Sequence, residues 1–178
     1  MKRKIILTLN LAIMLTVVLA LSINAAEPVE SWDVSENTDG SVMAYLYNDS
    51  QNEGMYTLTV SGNGNMKNLA SYTNYAPWFS SYNSKITSVT VEKGVTTIGE
   101  WAFSDCDSLT SVVIPDSVTT IGDWAFSSCN SLASVVIPDS VTTIGNYAFW
   151  SCDSLTSIEV DENNTAYKSI VGNLYTKD

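Results

Sequence analysis

Three cysteines, Cys106, Cys129 and Cys152, recur at intervals of 23 residues. Thiols at a fixed spacing can pair as disulfides, hold a metal ion, or fill a core as small hydrophobes. An odd count cannot pair completely. Structural zinc needs a fourth ligand, and the chain contains no histidine. A column of buried, free thiols is the favoured expectation. The same lack of histidine removes His-based triads and His general bases. Carboxylates are plentiful, with 19 acidic side chains against 8 basic ones and a net charge of −11. Hydrolysis by two carboxylates requires them to converge in a cleft. Asp105, Asp107, Asp116, Asp139 and Glu162 are instead spread along the chain. Calcium needs about six to eight oxygens, and no loop has that density. No catalytic residue, cofactor or metal site is assigned, and no enzyme is expected. The acidic field repels phosphate backbones and anionic membranes, so nucleic acid is not an expected partner.

Aromatic residues show the same spacing. Trp101, Trp124 and Tyr147 form one column, and Trp150 adds a ring near its end. Such rows stack on sugars, anchor proteins, or pack on one another along a flank. A second candidate surface is a strand face with Thr90, Val113, Val136 and Glu159 outward, flanked by Ser88, Ser111, Ser134 and Ser157. The candidate ligand-binding residues are therefore Trp101, Trp124, Tyr147, Trp150, Val113 and Val136. Paired threonines at 96/97, 119/120 and 142/143 resemble the ladders of ice-binding solenoids. Adjacent strand residues point to opposite faces, however, which argues against that reading.

The element that positions these columns is an internal repeat. Residues 95–117 read VTTIGEWAFSDCDSLTSVVIPDS, residues 118–140 read VTTIGDWAFSSCNSLASVVIPDS, and residues 141–163 read VTTIGNYAFWSCDSLTSIEVDEN. The first two copies share 19 of 23 positions and the second and third share 12. Residues 86–94 form a half-repeat leading into the array. One unit has too few apolar side chains to fold alone, so the units must stack as a solenoid. Ser134 to Ile137 alternates like a strand, with Val135 and Ile137 inward and Val136 outward. Pro138 ends it. Val141 to Ile144 is a second extended piece, and Gly145 marks a turn, as do Gly99 and Gly122. Glu100, Asp123 or Asn146 then suits the start of a short helical turn. Ala125, Phe126 and Cys129 share its inner face.

The flanks differ from the repeats. Lys2-Arg3-Lys4, an apolar run from Ile5 to Leu21, and small residues at Ala25 and Ala26 have the layout of a secretory signal peptide. Cleavage after Ala25 or Ala26 is expected, leaving 5 of the 8 basic groups against 19 acidic ones. Membrane insertion is not expected after cleavage. Residues 27–85 are read as an N-terminal β cap, with strands over 41–47 and 55–60 joined by a turn. Trp78 lies one period before Trp101, so the aromatic column is expected to begin there. Residues 164–178 are read as a C-terminal hairpin, with Asn164 and Tyr167 standing where the repeat has Val and Ile. The distal edge is expected to be thinly covered and to self-associate weakly.

The pattern IGxxAFxxCxSLxSVxIPxSVTT, from Ile98 onward, resembles the BspA-like leucine-rich repeat over roughly 86–160. That family is known from secreted and surface proteins of gut and oral bacteria and of some parasitic protists. The segment from Tyr56 to Met66, with Ala76-Pro77-Trp78, resembles the module that often precedes such repeats. The resemblance implies a right-handed, curved, β-rich solenoid with short helical turns and an N-terminal β cap. It also implies adhesion or binding of host proteins. Family members share a scaffold, so no site residue carries over. The functional expectation is a bacterial, secreted or cell-surface recognition module, non-catalytic, binding a host extracellular protein or glycan. The alternative is a structural spacer, or a truncated fragment of a longer surface protein, with no ligand of its own.

Overall fold

Val42, Ala44 and Leu46 are fully buried and alternate with half-exposed Met43, Tyr45 and Tyr47. That pattern makes a strand with one face on a core. The computed structural model describes residues 26–69 and 76–177. The leader read over residues 1–26 lies outside them, apart from Ala26. Three strands, β1 (Glu30–Asp33), β2 (Val42–Asn48) and β3 (Tyr56–Gly62), pair antiparallel, so the hairpin read from the alternation forms. β4 (Gly64–Asn65) follows. β3 then pairs in parallel with β5 (Ile86–Val91), and β5 with β7 (Ser111–Val113). β9 (Ser134–Ile137) and β11 (Ser157–Val160) form a parallel pair of their own. β4, β6 (Val95–Ile98), β8 (Thr120–Ile121) and β10 (Thr143–Ile144) build a second parallel sheet. A hairpin of β12 (Tyr167–Ile170) and β13 (Asn173–Thr176) follows.

Registers such as Ser88 with Ser111, Ile98 with Ile121 and Val135 with Ile158 join identical repeat positions. Each coil therefore stacks on the one before. Between the sheets lies a continuous core. The rings of Phe103, Phe126 and Phe149 stack at centroid spacings of 5.3 and 5.5 Å. Val95, Val118 and Val141 are fully buried, as are Leu109 and Leu132.

Trp78 joins this inner column, not the column of Trp101. It is buried and stacks on Phe103 at 5.8 Å with an interplanar angle of 16°. Leu58 pairs with Val89, 31 positions on, so the coil preceding the repeats is longer than 23 residues. Counting one period back from Trp101 therefore lands on the wrong ring.

The expected helical turns do not form. Among the described residues the only helical element is the 3-10 turn Asn83–Lys85. Trp101, Asp105, Trp124, Ser128, Tyr147 and Ser151 all have left-handed φ between 57° and 59°. A helix needs its N–H groups to bond back along their own chain. Here alternate N–H groups bond forward to the next coil. Trp101 donates to the carbonyl of Asp123 (3.0 Å), Phe103 to Ala125 (2.8 Å) and Asp105 to Ser127 (2.8 Å). Trp124, Phe126 and Ser128 donate in the same way to Asn146, Ala148 and Trp150. The turns thus form a further ladder between coils, beside those of the strands. The glycine that opens each turn allows the coils to approach. A Cβ on Gly122 would lie 2.6 Å from the Glu100 nitrogen, and one on Gly145 2.4 Å from the Asp123 nitrogen. No helix among the described residues is long and apolar enough to cross a membrane.

Candidate functional site

The first two repeat turns carry one aromatic residue outward and two apolar residues inward, and the third carries two aromatics outward, Tyr147 and Trp150. Ala102 and Phe103 are fully buried, while the adjacent Trp101 is 38% exposed. Across the coils Trp101 stacks on Trp124 at 5.1 Å and 13°, and Trp124 on Tyr147 at 4.4 Å and 23°. Trp150 meets Trp124 edge-on at 5.7 Å. Tyr147 and Trp150 remain 58% and 53% exposed. The four rings therefore pack on one another, with Trp124 half-buried among them and Trp101, Tyr147 and Trp150 exposed to solvent. Stacking uses up ring faces and leaves ring edges along the ledge. Among the described rings, Tyr147 is stacked on one side only.

Val113 and Val136 lie outward on the strands, 56% and 58% exposed. Register continues this row onto the N-terminal module. Val113 pairs with Thr90, Thr90 with Thr59, and Thr59 with Tyr45. On the other side Val136 pairs with Glu159. β7 and β9 lie side by side in separately hydrogen-bonded sheets. Tyr45, Tyr47 and Thr59 extend the face beyond the repeats, and period counting misses them. Their signal was the strand alternation over 41–47 and 55–60. Ledge and strand face occupy different segments of each coil, turn and strand, and make two surfaces, not one site.

The acids and amides that open the turns join coils. Asp123 Oδ1 accepts the N–H of Asn146 at 2.7 Å, and Asn68 Oδ1 accepts that of Glu100 at 3.0 Å. The threonine columns divide as strand alternation requires. Thr119 and Thr142 hydroxyls donate to the carbonyls of Thr96 and Thr119 (3.2 and 3.4 Å). Thr97, Thr120 and Thr143 line a groove of about 540 Å³ with Glu36, Lys67 and Asp123.

All three thiols are free, with Cys106 and Cys129 buried and Cys152 half-buried. Cys129 donates to the carbonyl of Phe103 (3.2 Å), and Cys152 to that of Phe126 (3.1 Å). Burial, with the nearby carboxylates of Asp105 and Asp107, pushes the Cys106 thiol up. Contact with the Cys152 thiol, together with burial, pushes Cys129 up, and Cys152 is correspondingly lowered. Among the described residues no three His, Cys, Asp or Glu side chains converge as a metal site.

The distal end is closed by side chains that depart from the repeat. In the earlier coils Ser117 and Ser140 hydroxyls donate to the carbonyls of Val95 and Val118 (2.8 and 2.7 Å). In the last coil Asn164 takes over, its amide donating to the carbonyls of Val141 (2.9 Å) and Pro138 (2.8 Å). Its Oδ1 accepts the N–H groups of Ala166 and Tyr167. The Tyr167 hydroxyl accepts the N–H of Ile144 at 2.8 Å.

The model of the BspA type leucine rich repeat region matches residues 77–172 in six copies, more than half of the chain. The match reaches into both flanking segments. No curated protein matches the chain. Among solved structures, a leucine-rich repeat protein from Eubacterium ventriosum is similar with a TM-score of 0.50 and 26% identity, covering 83% of this chain and 48% of that one. A leucine rich cell surface protein from Faecalibacterium prausnitzii has a TM-score of 0.48 and 19% identity, covering 86% and 60%. The pneumococcal vaccine antigen PcpA has 0.46 and 16%, covering 85% and 55%. The chain thus spans about half of the first of these proteins and less than two thirds of the other two.

Proposed function

The chain belongs to the BspA-type leucine-rich-repeat family, and from that premise we propose that it is a non-catalytic recognition module of the bacterial exterior. Leucine-rich repeats are interaction scaffolds, and solenoids bind through the surfaces that their repeats align. The observation that carries the reading is the ledge of Trp101, Trp124, Tyr147 and Trp150, which exposes Trp101, Tyr147 and Trp150 around a half-buried Trp124. Exposed aromatic clusters are the usual anchors of protein interfaces. The face of Val113 and Val136, extended by Thr59 and Tyr45, is the second candidate surface. The leader-like segment supports export, and a curved right-handed solenoid behind an N-terminal cap is the shape the reading assumes. The partner is a host extracellular protein or glycan. The ring-on-ring stacking supports the spacer reading in part, because a purely structural flank would also stack its rings.

The test is binding of the exported protein to an array of extracellular-matrix proteins and glycans. The wild type is compared with a Val113→Asp, Val136→Asp variant. Saturable binding to an array member is expected, and a fall in the variant places the partner on the strand face. Silence across the array overturns the recognition reading in favour of a spacer.

A further inference from the structure

The turn glycines that let the coils approach also leave a trough along the flank of the solenoid. Gly122 and Gly145 line the groove of about 540 Å³ over the second parallel sheet and put no side chain into it. Register carries a row of polar side chains through it, pairing Asn65 with Thr97, Thr97 with Thr120, and Thr120 with Thr143. Glu100 and Asp123 line it as well, and Glu36 and Lys67 join them from the N-terminal module. Buried Met66, Ile98 and Ile121 form its floor. The groove crosses successive coils, so neither edge of the stack forms it. Its polar side chains are only partly engaged. Asp123 uses Oδ1 on the N–H of Asn146 (2.7 Å), and Glu100 uses Oε1 on the amide of Asn68 (3.0 Å), which leaves each a second carboxylate oxygen. The Lys67 ammonium gives one N–H to the carbonyl of Asp33 (2.8 Å) and keeps two. Among the described residues the Thr120 and Thr143 hydroxyls have no hydrogen-bond partner. The backbone, by contrast, is engaged between coils. The N–H groups of Gly122 and Gly145 donate to the carbonyls of Ile98 and Ile121 at 2.9 and 2.8 Å.

We propose, building on the recognition reading, that this groove binds a neutral oligosaccharide, on a surface separate from the ledge and the strand face. A ligand rich in hydroxyls matches the capacity that is left. Threonine hydroxyls both donate and accept, the free carboxylate oxygens accept sugar O–H groups, and the ammonium donates to sugar oxygens. An extended polypeptide added as a strand needs free backbone groups, and here they are spent on the neighbouring coils. An anionic glycan meets the carboxylates of Glu36, Glu100 and Asp123 against the single ammonium of Lys67, a field that repels it. The volume falls within the range of about 300 to 1,000 Å³ that small-ligand sites occupy. The threonines stand on hydrogen-bonded strands, which hold the row in place before a ligand arrives.

The test uses isotopically labelled protein expressed from the full chain and neutral hexasaccharides of mannose, galactose and glucose, with a sulfated hexasaccharide as the anionic control. At least one neutral hexasaccharide is expected to shift the amides of Thr120, Gly122, Thr143 and Gly145 saturably, and which sugar does so separates host glycoprotein arms from glucose polymers as the source. In a Thr120→Val, Thr143→Val variant the affinity should fall about tenfold, since the shape of each side chain stays and only the hydroxyls are lost. Asp123→Asn keeps an Oδ1 for the N–H of Asn146 and removes the charge. It should weaken the neutral sugar and narrow the gap to the sulfated one. The lack of a saturable shift at millimolar sugar overturns the proposal, as does unchanged affinity in the threonine variant. Shifts confined to the amides of Trp101, Trp124 and Tyr147 also overturn it, by moving the sugar to the ledge. A sulfated hexasaccharide that binds the wild type as tightly overturns the assignment of a neutral ligand. Hexasaccharide failure with array binding retained defeats this inference alone. Silence of both the array and the hexasaccharides defeats the recognition reading with it.

Discussion

The rings of Trp124 and Tyr147 lie 4.4 Å apart and nearly parallel, yet Tyr147 is more than half exposed. Two residues further along each turn, Phe126 and Phe149 stack at 5.5 Å against the core. The same repeat thus builds two aromatic columns, one against the core and one at the surface.

Truncating each column separates their roles. Phe126→Ala opens a cavity at a fully buried ring and should cost about 3 to 5 kcal/mol. Trp124→Ala removes partly exposed ring contacts and should cost about 1 kcal/mol. Urea denaturation of both variants checks the contrast. Equal losses would mean that the ledge is a structural stack.

Restoring the repeat at its end should weaken the protein. Asn164→Val brings back the residue found at 95, 118 and 141. It also leaves the carbonyls of Val141 and Pro138 and the N–H groups of Ala166 and Tyr167 without their partner. Orphaned buried polar groups cost about 1 to 3 kcal/mol each, so a loss of at least about 2 kcal/mol is expected. A stability equal to or above the wild type in urea denaturation would contradict it.

Much of this architecture was legible in the sequence. The period of 23 fixed the coil, and the alternation at Ser134 to Ile137 correctly put Val135 and Ile137 inward with Val136 outward. The turns were not legible. An acid or Asn followed by apolar residues at i, i+1 and i+4 suits a helix start and also a segment whose alternate N–H groups bond to the next coil. Only the stacked neighbour decides between them, by drawing off the N–H groups of Trp101, Phe103 and Asp105. Trp78 stacks on Phe103 and not on Trp101 because the coil before the repeats is longer than the period. The tyrosines of β2 join the strand face through strand alternation, which the 23-residue count does not reach.

The thiols should differ in reactivity. Cys106 and Cys129 are buried and pushed up, whereas Cys152 is half-buried and lowered by its neighbour Cys129. A chromogenic disulfide reagent should modify Cys152 first in the native protein, and the other two only on unfolding. Simultaneous reaction of all three would show that the column is not closed.

Acid should loosen the link between the β2–β3 loop and the half-repeat. Asp49 accepts from the Thr87 hydroxyl, the Asn52 amide and the Gln51 N–H, which hold its pKa near 2, down from 3.8. A lowered folded-state pKa stabilises above the unfolded value and is lost as pH falls through the folded one. This contribution is therefore complete above 3.8 and disappears toward about pH 2. Urea midpoints of the wild type should fall more steeply across that window than those of Asp49→Asn. Parallel curves would remove Asp49 from the acid response.

The central claim is that the ledge binds. The most direct measurement compares the wild type with a Trp101→Ala, Trp124→Ala, Tyr147→Ala, Trp150→Ala variant on the same array of matrix proteins and glycans, with circular dichroism confirming the fold of each. The account predicts that the variant stays folded and loses the binding. A folded variant that binds as well as the wild type would contradict it and leave the strand face or the N-terminal module as the recognition surface.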